Sequence, residues 1–134
     1  MKRFKRSSGV LLPVFSLPSN YGIGTIGKAA YDFIDFLHSA KQAYWQILPV
    51  GSTGFGDSPY RSFSTYAGNP YFIDLDLLIK DGLVSKDDVD GFDWGNDPEK
   101  IDYGKIYSAK FVILEKAYKN GIEKDREKYE KFKE

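Results

Sequence analysis

Residues 9–17 form an almost unbroken apolar run, with Ser7 and Ser8 ahead of it and Pro18, Ser19 and Asn20 behind. A run without alternation predicts a strand buried on both faces, as in a parallel sheet. Asn20 to Gly24 carries two glycines and reads as a turn, and Thr25 is placed to cap a helix. Ile26, Ala30, Phe33, Ile34, Leu37 and Ala40 then recur at helical spacing, with Lys28, Asp32, Asp35 and Lys41 mostly between them. That pattern predicts an amphipathic helix over 26–41. A second apolar run, 44–50, closes a strand–helix–strand unit, which calls for parallel strands and a right-handed crossover.

Residues 51–71 break the pattern. Gly51, Gly54, Gly56 and Gly68, with Pro59, Pro70 and several Ser and Thr, fill a long loop leaving the C-terminal end of the second strand. Loops of that length inside a compact domain are usually functional, and ligands of α/β proteins bind at that end of the strands. Beyond it, 73–79 reads as a short helix or turn stopping at Gly82. Ser85 with Asp88 three residues on starts another short helix. Residues 90–102 read as irregular. Tyr103, Ile106, Lys110, Ile113 and Ala117 share one face, beside Phe111, Leu114 and Tyr118, of a helix expected to stop at Asn120 and Gly121. The mostly charged 122–134 is expected to be a solvated helix, or one missing its partner.

The two strands ask for covering layers that this chain does not supply. A (β/α)₈ barrel takes about 250 residues, and open edges on doubly buried strands are sticky. The expectation is therefore a fragment of a larger α/β fold, marginally stable or self-associating. Lys plus Arg equals Asp plus Glu at 19 each, so no charge excess favours nucleic acid or an anionic membrane surface. No run is long enough to span a bilayer. The basic stretch Lys2 to Arg6 precedes an apolar segment that is short, broken by Pro13 and without a cleavage site, so it is read as a strand rather than a signal peptide. The absence of cysteine removes disulfides, thiolate metal sites and a cysteine nucleophile, and suits a cytoplasmic setting. With one histidine, His38 near the end of the first helix, no metal site is expected.

Aromatics make up 16% of the chain, with ten Tyr and ten Phe. Most of them serve as core, but flat rings also stack on sugars or bases. Tyr60 comes after Pro59, which fixes its own φ and restricts Ser58. A phenol on so stiff a loop offers an apolar face and a hydroxyl, the pair a pyranose needs; equally, the ring anchors the loop to the core. Asp57 is the carboxylate of the loop, either a general acid or base, or a partner of a turn or of Arg61. Gly22, Gly24 and Gly27 spell Gly-x-Gly-x-x-Gly ahead of a helix, a dinucleotide fingerprint. Against it, the glycines lie far from the strand, and the second strand ends without an acidic residue to take a ribose hydroxyl.

Several stretches together are far more specific. Arg6 to Leu12 (RSSGVLL), Ser16 to Gly24 (SLPSNYGIG), Tyr44 to Gly51 (YWQILPVG) and, most strongly, Thr53 to Tyr60 (TGFGDSPY) occur in order. Ser62 to Ser64 (SFS), Ala67 to Tyr71 (AGNPY) and Ile101 to Tyr103 continue the series. From about residue 6 to 119 the chain resembles the opening of the amylomaltases, 4-α-glucanotransferases of the disproportionating type. The resemblance implies the N-terminal part of a truncated (β/α)₈ barrel: a βαβ unit over 9–50, a substrate loop over 51–71 and a helical insertion over 72–134. It implies a retaining transfer of α-1,4-glucan segments between maltooligosaccharides or amylose, with no cofactor. Such chemistry needs two carboxyl groups about 5–5.5 Å apart, and the family's catalytic acids have no counterpart here. No catalytic residue is therefore assigned, and the chain alone is expected to be inactive, its missing partner being the rest of the barrel. What carries over is substrate contact: Tyr60 first, Ser58 second and Asp57 in support, with Gly54, Gly56, Pro59, Asn69 and Pro70 shaping the loop. Arg61 departs from the neutral Gln common in relatives. A stand-alone carbohydrate-binding module and a nucleotide-binding domain are the alternatives.

Overall fold

The computed structural model describes residues 6–54 and 56–134. Most of the basic stretch at the start, Lys2 to Lys5, and Phe55 of the loop lie outside that set. The chain divides into two compact units, Met1–Ile73 and Asp74–Glu134.

The first unit is built on two parallel strands, β1 (Gly9–Leu11) and β2 (Tyr44–Gln46), joined through helix α1 (Lys28–Ser39). Their register pairs Gly9 with Tyr44, Val10 with Trp45 and Leu11 with Gln46. Leu12 N–H adds one more bond to the Gln46 carbonyl at 3.0 Å. Gly9 is required by that pairing, because a Cβ there would sit 2.6 Å from the Tyr44 carbonyl oxygen. The Trp45 indole ties the layers together. Its N–H donates to the Leu12 carbonyl at 2.8 Å, and its ring meets Phe33 of α1 edge-on at 5.1 Å.

Both strands are shorter than their apolar runs. Pro13, with no N–H to give a ladder, ends the first, and Val14–Ser16 turns into a 3-10 helix. Residues 47–50 continue β2 without strand pairing. Nor are the strands buried on both faces: Leu11 is 56% and Tyr44 58% exposed. Burial in this unit falls elsewhere, on Val14, Leu17, Tyr21, Ile23, Ala30 and Leu37 and on a second 3-10 turn, Pro70–Phe72. A bond from Ile26 N–H to the Phe72 carbonyl, 2.9 Å, brings that turn against the approach to α1. Thr25 is buried two residues ahead of the cap position, which is Gly27, with no side-chain bond.

The second unit is helical: α2 (Leu75–Lys80), α3 (Lys86–Asp90), α4 (Tyr103–Lys124) and α5 (Arg126–Lys133). Each start is capped by a side chain. Asp74 accepts from Leu77 N–H at 2.9 Å, Asp102 from Lys105 N–H at 3.1 Å and Asp125 from Lys128 N–H at 3.1 Å. Ser85 and Asp88 close a reciprocal capping box at 3.2 and 2.9 Å. Leu75, Val84, Val89, Ile106, Ala109, Ile113 and Ala117 form the core. Lys110 lies within it with no exposure at all.

Helix α4 does not stop at Asn120 and Gly121. The Asn120 amide donates to the Leu83 carbonyl at 2.7 Å, and a Cβ on Gly121 would make only an ordinary contact with the Leu83 side chain, at 3.8 Å. Asn120 thus bonds outside the helix instead of ending it, and α4 runs on to Lys124, with Asp125 closing α4 and capping α5.

Candidate functional site

The loop after β2 folds back on itself. Gly51 and Gly68 form an antiparallel bridge, flanked by Asn69 N–H to Val50 O at 2.9 Å and Ser52 N–H to Ala67 O at 3.1 Å. Further out, Gly54 N–H donates to Arg61 O at 3.1 Å. A Cβ on Gly51 would lie 2.9 Å from the Ser62 hydroxyl, and one on Gly54 3.3 Å from the Arg61 carbonyl. The close approach that Gly54 permits is therefore to the loop's own backbone.

Two turns carry the tip. The first is closed by Asp57 N–H to Gly54 O at 3.1 Å, and its third residue, Gly56, has φ 86°. Glycine takes that conformation without strain. Asp57 itself has φ 52°, a left-handed geometry that Asp tolerates better than most residues. The second turn, Ser58 to Arg61, is closed at 3.1 Å with Pro59 in the position that proline's fixed φ prefers. Ser58 Oγ accepts from Tyr60 N–H at 3.4 Å. Among the described residues Asp57 and Arg61 make no ion pair.

Tyr60 emerges from this frame 72% exposed. Within this chain its ring does not anchor the loop to a core. The anchor is Asn69, buried at the loop's end, whose Oδ1 accepts from Tyr71 N–H at 3.0 Å while Pro70 opens the 3-10 turn. Asp57, Ser58, Pro59 and Tyr60 thus sit together on the tip, with Gly54 and Gly56 shaping it and Asn69 and Pro70 fixing its return. Two further features of the loop carry no local signal in the sequence. Tyr66 is 98% exposed, and the Ser52 hydroxyl is buried without a hydrogen-bond partner among the described residues.

The other candidates part from this site. His38 is exposed in the last turn of α1, where a cation complements the helix end. Of the glycine triplet, Gly24 is packed so closely on the Val14–Ser16 turn that a Cβ would lie 2.1 Å from the Val14 carbonyl oxygen. That closeness is to the chain's own backbone and leaves no space there for a phosphate. Among the described residues no group of three or more His, Cys, Asp or Glu is arranged to hold a metal ion, and no helix is long and apolar enough to cross a membrane.

The sequence pattern of the 4-alpha-glucanotransferase family matches residues 12–134. The chain is 55% identical over 129 residues to the 4-alpha-glucanotransferase of Streptococcus pneumoniae serotype 4, covering 96% of this chain and 26% of that one. It is 46% identical over 133 residues to the enzyme of the same name from Thermus thermophilus, again covering 96% and 26%. An amylomaltase from Streptococcus agalactiae, solved in complex with acarbose, superimposes with a TM-score of 0.87 at 51% identity, over 91% of this chain and 25% of that one. The chain thus spans about a quarter of the length of the relatives it matches. With nearly its whole length inside the family pattern, this chain belongs to the 4-alpha-glucanotransferase family.

Proposed function

We propose that this chain forms the front of the catalytic (β/α)₈ barrel of a retaining 4-α-glucanotransferase, which moves α-1,4-glucan segments between maltooligosaccharides by double displacement. The observation that carries the reading is the exposed Tyr60 ring on a doubly hydrogen-bonded, proline-stiffened turn beyond the C-terminal end of β2. In barrel enzymes that end of the strands holds the active site. A pyranose flattening toward an oxocarbenium-like state needs a flat apolar surface beside it and hydroxyl partners around it. Tyr60 supplies the first, and the Tyr60 and Ser58 hydroxyls with the Asp57 carboxylate supply the second. Asp57 is the one carboxylate between residues 51 and 71, and retention needs a pair, so the loop binds and orients while the bond-breaking acids come from the rest of the barrel.

The test is a chimera in which residues 1–134 replace the matching quarter of the Streptococcus pneumoniae relative. Incubated with maltotriose, it is expected to release glucose and longer maltooligosaccharides, whereas the 134-residue chain alone turns over nothing. An inactive but folded chimera overturns the reading. Saturable binding of ATP or NAD to the isolated chain, with no binding of maltooligosaccharides, replaces it with a nucleotide site.

A further inference from the structure

We infer that Ser62 is a positioning residue for the Tyr60 tip, its hydroxyl seated against Gly51 where a side chain would otherwise stand. This rests on the glucan reading of Tyr60. Gly51 lies at the tied base of the loop: it bridges Gly68, and Val50 before it accepts from Asn69 N–H at 2.9 Å. Gly51 is not among the glycines with positive φ, which are Gly22, Gly56, Gly82 and Gly95 among the described residues. Backbone conformation therefore does not call for a glycine at 51, but the space beside it does. A Cβ there would lie 2.9 Å from Ser62 Oγ, 3.4 Å from Ser62 Cβ and 3.6 Å from the Ser64 carbonyl oxygen. A Cβ on Gly68, its partner in the bridge, would meet nothing within 4 Å among the described residues, so the bridge alone does not set the requirement.

What sits against Gly51 is a closed turn. Ser62 Oγ donates to Ser64 O at 2.6 Å and accepts from Ser64 N–H at 3.3 Å. One hydroxyl thus holds its own turn and makes the contact with Gly51. Between this turn and Tyr60 stands only Arg61. Its N–H donates to Ser58 O at 3.1 Å, closing the Tyr60 turn, and its carbonyl accepts from Gly54 N–H at 3.1 Å. With both backbone groups of Arg61 bonded and planar peptides on either side, few soft torsions separate Ser62 from Tyr60. A displacement of Ser62 therefore passes to the tip. Misplacing a group that orients a reacting sugar by about 1 Å costs up to roughly a hundredfold in rate.

The experiment is a double-variant cycle in the chimera with the Streptococcus pneumoniae relative, measuring kcat, KM and thermal midpoint with maltotriose. Ser62→Ala removes only a hydroxyl and is expected to lower kcat about two- to tenfold, the worth of one hydrogen bond, with KM and midpoint unchanged. Gly51→Ala drives a methyl into the Ser62 hydroxyl and is expected to lower kcat further. The two together are expected to return to the level of Ser62→Ala alone, because the contact that remains, Cβ to Cβ at 3.4 Å, is an ordinary one. A double variant no more active than Gly51→Ala, a Ser62→Ala kcat equal to the parent's, or losses that only follow the midpoint overturn the positioning role and leave the Tyr60 site standing. A folded but inactive parent chimera removes the glucanotransferase reading itself, and this role with it.

Discussion

Replacing Lys110 by Met is expected to stabilise the helical unit at neutral pH and to abolish a rise in its stability in mild alkali. Lys110 is wholly buried in the helical unit, whose other large side chains buried to the same degree, among the described residues, are Leu75, Val89, Ile106 and Ile113. Burial pushes its ammonium down from 10.5 to about 8, and the nearby Asp74 carboxylate only partly opposes this. Linkage sets the sign. Below pH 8 the lysine is charged in both folded and unfolded chains, and the cost of burying the charge is fully present. Between pH 8 and 10.5 the unfolded chain holds more protons than the folded one, so stability climbs with pH; above 10.5 it levels off. At about 1.4 kcal/mol per unit, a displacement of this size corresponds to roughly 3 kcal/mol, already net of the attraction to Asp74.

Methionine has a similar volume and no charge, and Asp74, half-buried and accepting from Leu77 N–H at 2.9 Å, is not left as a buried, unpaired charge when the ammonium goes. The expected gain for Lys110→Met at pH 7 is therefore about 1–3 kcal/mol, reduced by whatever hydrogen bonding the ammonium loses. The measurement is urea unfolding at pH 7, 8, 9 and 10, read by far-UV circular dichroism and by Trp94 fluorescence. Trp94 reports on this unit, its indole donating to the Val89 carbonyl at 3.1 Å, and Trp45→Phe silences the other tryptophan. A Met variant less stable than the parent at pH 7, or one whose stability still climbs from pH 8 to 10, refutes the reasoning.

Three further outcomes are expected. Gly24→Ala drives a methyl into the Val14 carbonyl and is expected to cost the first unit about 1–3 kcal/mol or more, seen as an earlier Trp45 transition in urea. Asp88 is held down to about 2, chiefly by its bond to Lys116 and then by those to Ser85. Its contribution is present above pH 4 and is lost as pH falls through 2, so Asp88→Asn is expected to flatten the acid limb of the helical unit's circular dichroism profile. In the active chimera, Tyr60→Phe is expected to lower kcat/KM about two- to tenfold, the worth of one hydrogen bond. Tyr60→Ala costs considerably more, and neither shifts the thermal midpoint; activity that falls only where the midpoint falls makes Tyr60 scaffolding.

Which of these features the sequence displayed depends on how far along the chain their causes act. The capping box at Ser85 and Asp88 and the turn at Pro59 were legible because each closes within four residues, where side-chain chemistry alone decides. The helix face Ile106, Lys110, Ile113 and Ala117 was legible from its spacing, and so was a lysine among apolar neighbours. The length of the strands was not. The run 9–17 looks continuous only if Pro13 is passed over, and the burial of Val14 and Leu17 comes from their turn rather than from a sheet. The stop expected at Asn120 and Gly121 failed for a related reason. The Asn120 amide is bonded to the Leu83 carbonyl, 37 residues away in sequence, a contact that no local pattern displays. Tyr60 and Tyr66 make the point within the site itself. The sequence favours Tyr60 because a proline stands before it, whereas Tyr66 stands out only once Ser52 and Ala67 have paired across the loop. Proline thus marks the turn under Tyr60 locally, whereas the pairing of Ser52 with Ala67 next to Tyr66 is a property of the assembled loop.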